Sequence, residues 1–308
     1  MAFTARGGVY PTMITPYKNR EIDLGAVEAL VEWYWQKGCD GIFAACQSSE
    51  IMFLSQQERV LLVRTVVSKA KALAAADPSR APMMIVASGH VSDGFDDQVR
   101  ELNAIAAEGP DALILISNRM DIENTSDEMW ISDTERLIAR LPADMPLGIY
   151  ECPKPYKRLL SERMIAWCAE SGRFHFIKDT CCDAETIRRR IEICRGSSLK
   201  IFNANAQTML ESYRDGALGY CGVMANFHPA LYSRLFKEQS EELQGYLGLA
   251  AMLEGLTYPC CAKYFLAKHA GIPMDIYARS ADENAFTAYQ RSCIDQFAAL
   301  DRAIGDKL

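Results

Sequence analysis

Eight short apolar runs, separated by longer stretches whose apolar residues recur every three to four positions, most constrain what this chain can fold into. The runs lie at 9–12, 41–45, 83–87, 112–116, 147–150, 174–178, 200–203 and 220–224. Between them the periodicity predicts helices at 24–36, 56–71, 96–107, 127–140, 162–170, 184–194 and 207–214. Successive runs start mostly roughly 20 to 40 residues apart, the footprint of one strand–helix–strand unit. Eight such units predict an α/β fold, a (β/α)8 TIM barrel, in preference to a six-stranded open sheet.

Local signals agree with that rhythm. Ser55-Gln56-Gln57-Glu58 has the form of a capping box, in which hydroxyl and carboxylate satisfy two free N–H groups. The helix that follows sets Val60, Val63, Val67 and Ala70 along one stripe. Asp23 caps a helix whose apolar side carries Val27, Leu30, Val31 and Tyr34. Gly38 and Gly109 stand where a left-handed residue closes the first and third helices. After the last run about 80 residues remain and read as helices at 231–254, 260–268 and 283–304, with breaks at Gly255, Pro259 and Gly271-Ile272-Pro273. The expected division is a barrel over residues 1–230 and a helical C-terminal extension over 231–308, packed on the barrel or supplying a subunit contact. No repeat or low-complexity linker divides the chain further.

Composition narrows the classes of function. With 49% hydrophobic and 24% charged residues the chain is not wholly disordered. Forty acidic against 33 basic residues give a net charge of -7, which argues against a nucleic-acid partner. The N-terminal segment has no continuous apolar region and no later stretch has the apolar length of a membrane span, so a cytoplasmic protein without membrane contact is expected. Eleven cysteines are an odd count without zinc spacing, Cys181-Cys182 and Cys260-Cys261 being adjacent pairs. They are expected to be reduced, mostly buried, small apolar side chains.

Barrel enzymes hold their reacting groups at the C-terminal ends of strands, and three predicted ends carry chemistry. The sixth closes Phe174-His175-Phe176-Ile177-Lys178-Asp179, where alternation sets Phe174, Phe176 and Lys178 on one face. Desolvation beside phenylalanines favours a neutral amine, the form that attacks a ketone to make a Schiff base. Lys178 snorkelling to solvent, paired with Asp179, is the plainer alternative. The fifth end, Leu147-Gly148-Ile149-Tyr150, offers a phenol able to pass protons to a substrate oxygen, or simply a packed tyrosine. The second leads into Cys46-Gln47-Ser48-Ser49-Glu50, whose hydroxyls and backbone N–H groups suit a carboxylate, unless the segment is an ordinary polar turn.

These residues resemble the dihydrodipicolinate synthase / N-acetylneuraminate lyase family of class I, Schiff-base-forming aldolases. The family's GTTGE loop is similar to Cys46-Gln47-Ser48-Ser49-Glu50, followed by Leu54-Ser55 and Glu58-Arg59. Its YNxP resembles Tyr150-Glu151-Cys152-Pro153, its G(I/L)K(D/E) strand resembles Phe176-Ile177-Lys178-Asp179, and its late glycine-to-asparagine pattern resembles Gly219 through Asn226 with Pro229 behind. The resemblance implies Lys178 as the imine-forming lysine, Tyr150 and Ser48 as its proton-moving partners, and Gln47, Ser48, Ser49 and Cys221 as substrate contacts. It implies no metal and no cofactor, a small 2-oxo acid as substrate, and a homodimer or homotetramer.

The departures bear on the reaction. Ser49 stands where the family has glycine, which questions any special backbone angle there. The synthases' second relay tyrosine falls near Ser117 in Leu115-Ile116-Ser117-Asn118. Their substrate-binding arginine falls near Lys154-Pro155, leaving Lys154, Lys157, Arg119 and Arg158 as the cations within sequence reach. Ala204 and Asn205 replace a glycine-containing loop. The resemblance with these losses implies a lyase or aldolase acting on pyruvate or a related 2-oxo acid rather than the synthase reaction itself. A sugar-acid dehydratase using the same lysine and a catalytically weakened binding barrel are the competing expectations.

Overall fold

The computed structural model describes residues 5–307. Residues 1–4, the start of the segment read above for a targeting signal, lie outside them. Eight parallel strands form one sheet: β1 (Gly8–Val9), β2 (Gly41–Ala44), β3 (Met84–Ala87), β4 (Ala112–Ile116), β5 (Leu147–Tyr150), β6 (Phe174–Asp179), β7 (Lys200–Asn203) and β8 (Gly219–Tyr220). Each pairs with its sequence neighbour from β2 to β8, and β8 pairs back to β1. The ring closes where Thr12 bridges Phe43, with Phe43 N–H donating to Pro11 O at 2.9 Å and Met13 N–H to Phe43 O at 3.0 Å. This is the (β/α)8 barrel that the rhythm predicts. Among the described residues no helix is long and apolar enough to cross a membrane.

The outer helices are α1 (Leu24–Gln36), α2 (Gln56–Ala76), α3 (Phe95–Ala106), α4 (Asp127–Ile138), α5 (Glu162–Glu170), α6 (Ala184–Ile193), α7 (Met209–Asp215) and α8 (Pro229–Glu238), the last packed over β1. Their starts obey local chemistry. The Ser55 hydroxyl accepts from Glu58 N at 3.2 Å and Glu58 accepts from Ser55 N at 2.7 Å. Asp23 accepts from Ala26 N at 3.1 Å. Gly38 (φ 81°) and Gly109 (φ 70°) take the left-handed conformation expected after a helix.

Aromatic rings fill the barrel below the site. Phe176 stacks on Phe202 at 4.2 Å between centroids, and Tyr10 meets Phe202 edge-on at 4.8 Å. Each fully buried ring of this kind is worth about 1.5–3 kcal/mol of transfer free energy. The expectation that Phe174 shares a face with Phe176 is wrong. The register between β5 and β6 skips at Leu147/Gly148, pairing Leu147 with Phe174 but Gly148 with Phe176. One extra residue reverses the facing of everything before it. Phe174 therefore packs outward on Trp167 of α5 at 5.8 Å.

The predicted helix at 231–254 is broken. Gln239 (φ 49°) ends α8, and the Ser240 hydroxyl caps α9 (Glu241–Ala250) by accepting from Leu243 N at 3.1 Å. A single 3-10 turn, Ala251–Gly255, follows. Neither glycine nor proline marks the break, so periodicity does not see it. The tail ends with α10 (Cys260–His269) and α11 (Ala288–Lys307), packed on one another. The predicted eighth strand is likewise shorter, because Val223–Asn226 is a 3-10 turn. All eleven cysteines are free thiols and eight are buried, as expected of small apolar side chains.

Candidate active site

Lys178, next to the last residue of β6, is 5% exposed, and its Nζ lies 4.2 Å from the centre of the Tyr150 ring on β5. Strand register sets the pair, since Tyr150 and Lys178 are direct neighbours across β5 and β6. Phe43 packs edge-on with the same ring at 5.4 Å between centroids. Gly148, two residues earlier, has no room for a side chain: a Cβ would lie 2.5 Å from Ile114 Cδ1 and 2.8 Å from Phe176 O. Burial, with the Cys152 thiol among its neighbours, pushes the Tyr150 phenol well above the ordinary tyrosine value. Both side chains line a cavity of about 660 Å³.

The loop after β2 folds as a 3-10 turn, Gln47–Ser49. Gln47 and Ser48 line the cavity, and the Ser48 hydroxyl donates to Thr12 Oγ1 at 3.1 Å. Gln47 Oε1 accepts from the Cys152 thiol at 3.5 Å. Ser49 is fully buried and turned away: its hydroxyl donates to Met13 O at 2.6 Å and its N–H to Cys46 O at 3.0 Å. The expectation that Ser49 offers donors to a substrate is therefore corrected. The special backbone angles fall at the two ends of the loop, on Ala45 (φ 48°) and Glu50 (φ 63°), so a serine is accommodated. Cys221 is also fully buried outside the cavity lining, its thiol pushed up by burial. The Lys178 charge acts on this thiol, but the cavity wall itself is made by other residues.

Two buried ion clusters hold these pieces. Arg190 of α6 pairs with Glu151 at 3.0 Å and with Asp179, so the residues following Tyr150 and Lys178 share one cation. Glu151 also accepts from Leu160 N (2.7 Å) and Thr180 N (2.8 Å). Burial and the adjacent Asp179 charge raise its carboxyl to about 7. Asp179 is bound to Arg190 and Cys181 N, so it is not the partner of Lys178. Glu50, at the end of the serine loop, accepts from Lys263 Nζ (2.7 Å), Arg279 N (2.6 Å) and Ser280 N (2.9 Å), which ties the loop to the tail. The sequence reading missed both clusters, although Glu151 and Asp179 directly follow two singled-out residues.

The cavity wall on the tail side carries Glu254 and Tyr258, which no strand pattern points to. Of the cations, exposed Lys154 and Lys157 line the cavity, whereas the arginines are committed elsewhere. Arg158 is buried against Asp121 (3.0 Å), and Arg119 pairs with Asp93 at 2.6 Å. Of the four cations within sequence reach, only the two lysines stand at the cavity. Ser117 donates to Arg158 O at 2.7 Å and is not at the site. Asn226 is structural, accepting from Tyr34 Oη at 2.5 Å and donating to Thr12 O at 2.9 Å. Among the described residues no three His, Cys, Asp or Glu side chains converge as metal ligands.

An amine and a phenol so arranged, with hydroxyl and amide donors across the cavity, can carry out imine chemistry on a small carbonyl acid. Residues 5–75 match the model of the dihydrodipicolinate synthetase family. The chain is 26% identical over 233 residues to 4-hydroxy-tetrahydrodipicolinate synthase of Roseobacter denitrificans, covering 74% of this chain and 73% of that protein. With the same enzyme from Cereibacter sphaeroides the identity is 23%, over 84% and 83%. Among solved structures it resembles YagE, a prophage protein of E. coli K12 in complex with pyruvate (TM-score 0.83, 15% identity, 96% and 98% covered). It also resembles the Acinetobacter baumannii dihydrodipicolinate synthase complexed with pyruvate (TM-score 0.82, 18% identity, 97% and 99% covered).

Proposed function

Since the chain belongs to the dihydrodipicolinate synthase / N-acetylneuraminate lyase family of Schiff-base aldolases, we propose that it is a metal-independent lyase or aldolase whose Lys178 forms an imine with pyruvate or a related 2-oxo acid. The observation that carries this reading is the buried Lys178 amine, 4.2 Å from the centre of the Tyr150 ring in the lining of a cavity of about 660 Å³. The amine adds to the ketone carbon and water departs. The resulting iminium draws the electron pair of the neighbouring bond. Tyr150, with Ser48 of the same cavity lining, serves the substrate oxygen as proton carrier, while Gln47 and Ser48 hold the carboxylate. Lys154 and Lys157 attract an anionic distal group at the mouth.

The cavity is far larger than a three-carbon acid fills, which favours a longer, hydroxylated partner. Dehydration of a sugar acid starts from the same iminium and is the second reading, on the same observation. The assembly proposed is a homodimer or homotetramer. Incubation with a panel of 2-oxo acids and borohydride, followed by peptide mass mapping, tests the central claim. The expected result is a mass increment on the Lys178 peptide. A folded protein that gains none with any member of the panel overturns it.

A further inference from the structure

The tail brings into the imine cavity a carboxyl group that the roles above leave unused. Glu254 sits on the turn Ala251–Gly255 and lines the same cavity as Lys178 and Tyr150. That turn packs on the Val223–Asn226 turn after β8, so the barrel sets its position. Glu50 and Glu151 are each held by three or more donors. Glu254, by contrast, has no hydrogen bond or ion pair among the described residues, and Lys178 is the one charged side chain acting on it.

The pocket as described has an acid and lacks a base. The Tyr150 phenol, pushed well above its ordinary value by burial, keeps its proton at neutral pH and can donate it. The Ser48 hydroxyl is far too weak an acid to supply a base unaided, and it donates to Thr12. Burial, opposed by Lys178, raises Glu254 to about 7, where a carboxylate exists at working pH yet is basic enough to take a proton. Its neighbours in this field are Lys178 on β6, Tyr220 on β8, Tyr232 on α8, and Tyr258 and Cys261 of the tail.

Building on the imine reading, we propose that Glu254 is the acid–base group that removes a proton from the substrate carbon next to the imine. In the step, the Glu254 carboxylate takes a C3 proton from the Lys178 iminium. The C–H electron pair becomes the C2=C3 bond, and the C=N pair returns to nitrogen. A neutral enamine and a protonated Glu254 result, and the reverse step returns the proton. Tyr150 then serves the oxygen side of the substrate and Glu254 the carbon side. The substrates so defined are 2-oxo acids with hydrogen on the adjacent carbon.

Pyruvate in deuterium oxide tests this without knowledge of the natural partner. The wild type should exchange the methyl protons, followed by the loss of their proton NMR signal, with a rate rising with pH through about 7. Glu254→Gln should lower the exchange about 10²–10⁴-fold and lose that rise. Borohydride trapping of pyruvate on Lys178 should stay within a few-fold of wild type, which also shows that the variant is folded. Glu254→Asp should keep the pH dependence at an intermediate rate. Exchange by Glu254→Gln at the wild-type rate, or a wild type that is trapped without exchanging, overturns the proposal while leaving the imine reading intact. A wild type that is never trapped defeats the imine reading and this one with it.

Discussion

Replacing Lys178 by arginine keeps a cation near the Tyr150 ring, 4.2 Å away in the native protein, and removes the amine able to become a nucleophile. Lys178→Arg is expected to be folded and to show no borohydride-trapped adduct by mass spectrometry. Tyr150→Phe keeps the edge-on contact with Phe43 and loses only the hydroxyl. Its trappable imine should build up about 10²–10⁴-fold more slowly while reaching a similar final extent, read by quenching with borohydride at successive times. Glu254 has a stability signature as well. Its carboxyl is raised from 4.5 to about 7 in the folded protein, so the fold favours the protonated form. That contribution is fully present below about pH 4.5 and is lost as the pH rises through about 7. Denaturant melts of Glu254→Gln should therefore gain on wild type between about pH 5 and 8, and a constant difference would contradict the assignment.

At the scale of elements, the site depends on how strand ends are anchored to helices. Arg190 of α6 is the shared counter-ion of Glu151 and Asp179, the residues just beyond Tyr150 and Lys178. Arg190→Met leaves two buried carboxylates facing one another without a cation. Removing one partner of a buried pair typically costs about 3–5 kcal/mol, and the expected loss in a urea melt is of that size. Much of this scale was legible in the chain, because α1 and α2 obey caps and periodicities that are local. The skip at Leu147/Gly148 was not, since it arises from pairing between β5 and β6. The end of α8 at Gln239 was not either, as a side chain at Ser240 ends one helix by starting another.

The whole molecule is held by contacts from the tail to the barrel. Lys263 of α10 is fully buried, bonded to Glu50 and to Tyr277 O at 2.7 Å and lying 4.3 Å from the Tyr17 ring centre. The serine loop therefore takes its position partly from a helix more than two hundred residues later. Most apolar residues of the tail turn inward, Leu247 and Leu266 completely, but Leu249 and Met252 are 69% and 71% exposed. Adjacent exposed apolar groups of this size suit a subunit contact. Sedimentation at micromolar concentration should give a dimer or tetramer, and the double variant Leu249→Glu, Met252→Glu should shift it toward monomer with an unchanged thermal midpoint. A monomeric wild type would defeat the proposed assembly.

By itself the sequence determined the barrel, its eight strands to within a few residues, and the lysine and tyrosine at two strand ends. Those features follow from periodicity, caps and strand-end position, all of which act over a few neighbouring residues. Only the tertiary structure decided which groups face the cavity. Ser49 and Cys221 turn inward because partners or packing on other elements claim them, and Arg119 and Arg158 are drawn to Asp93 and Asp121. Glu254 arrives at the cavity by way of the tail, along a path through space that no local pattern encodes.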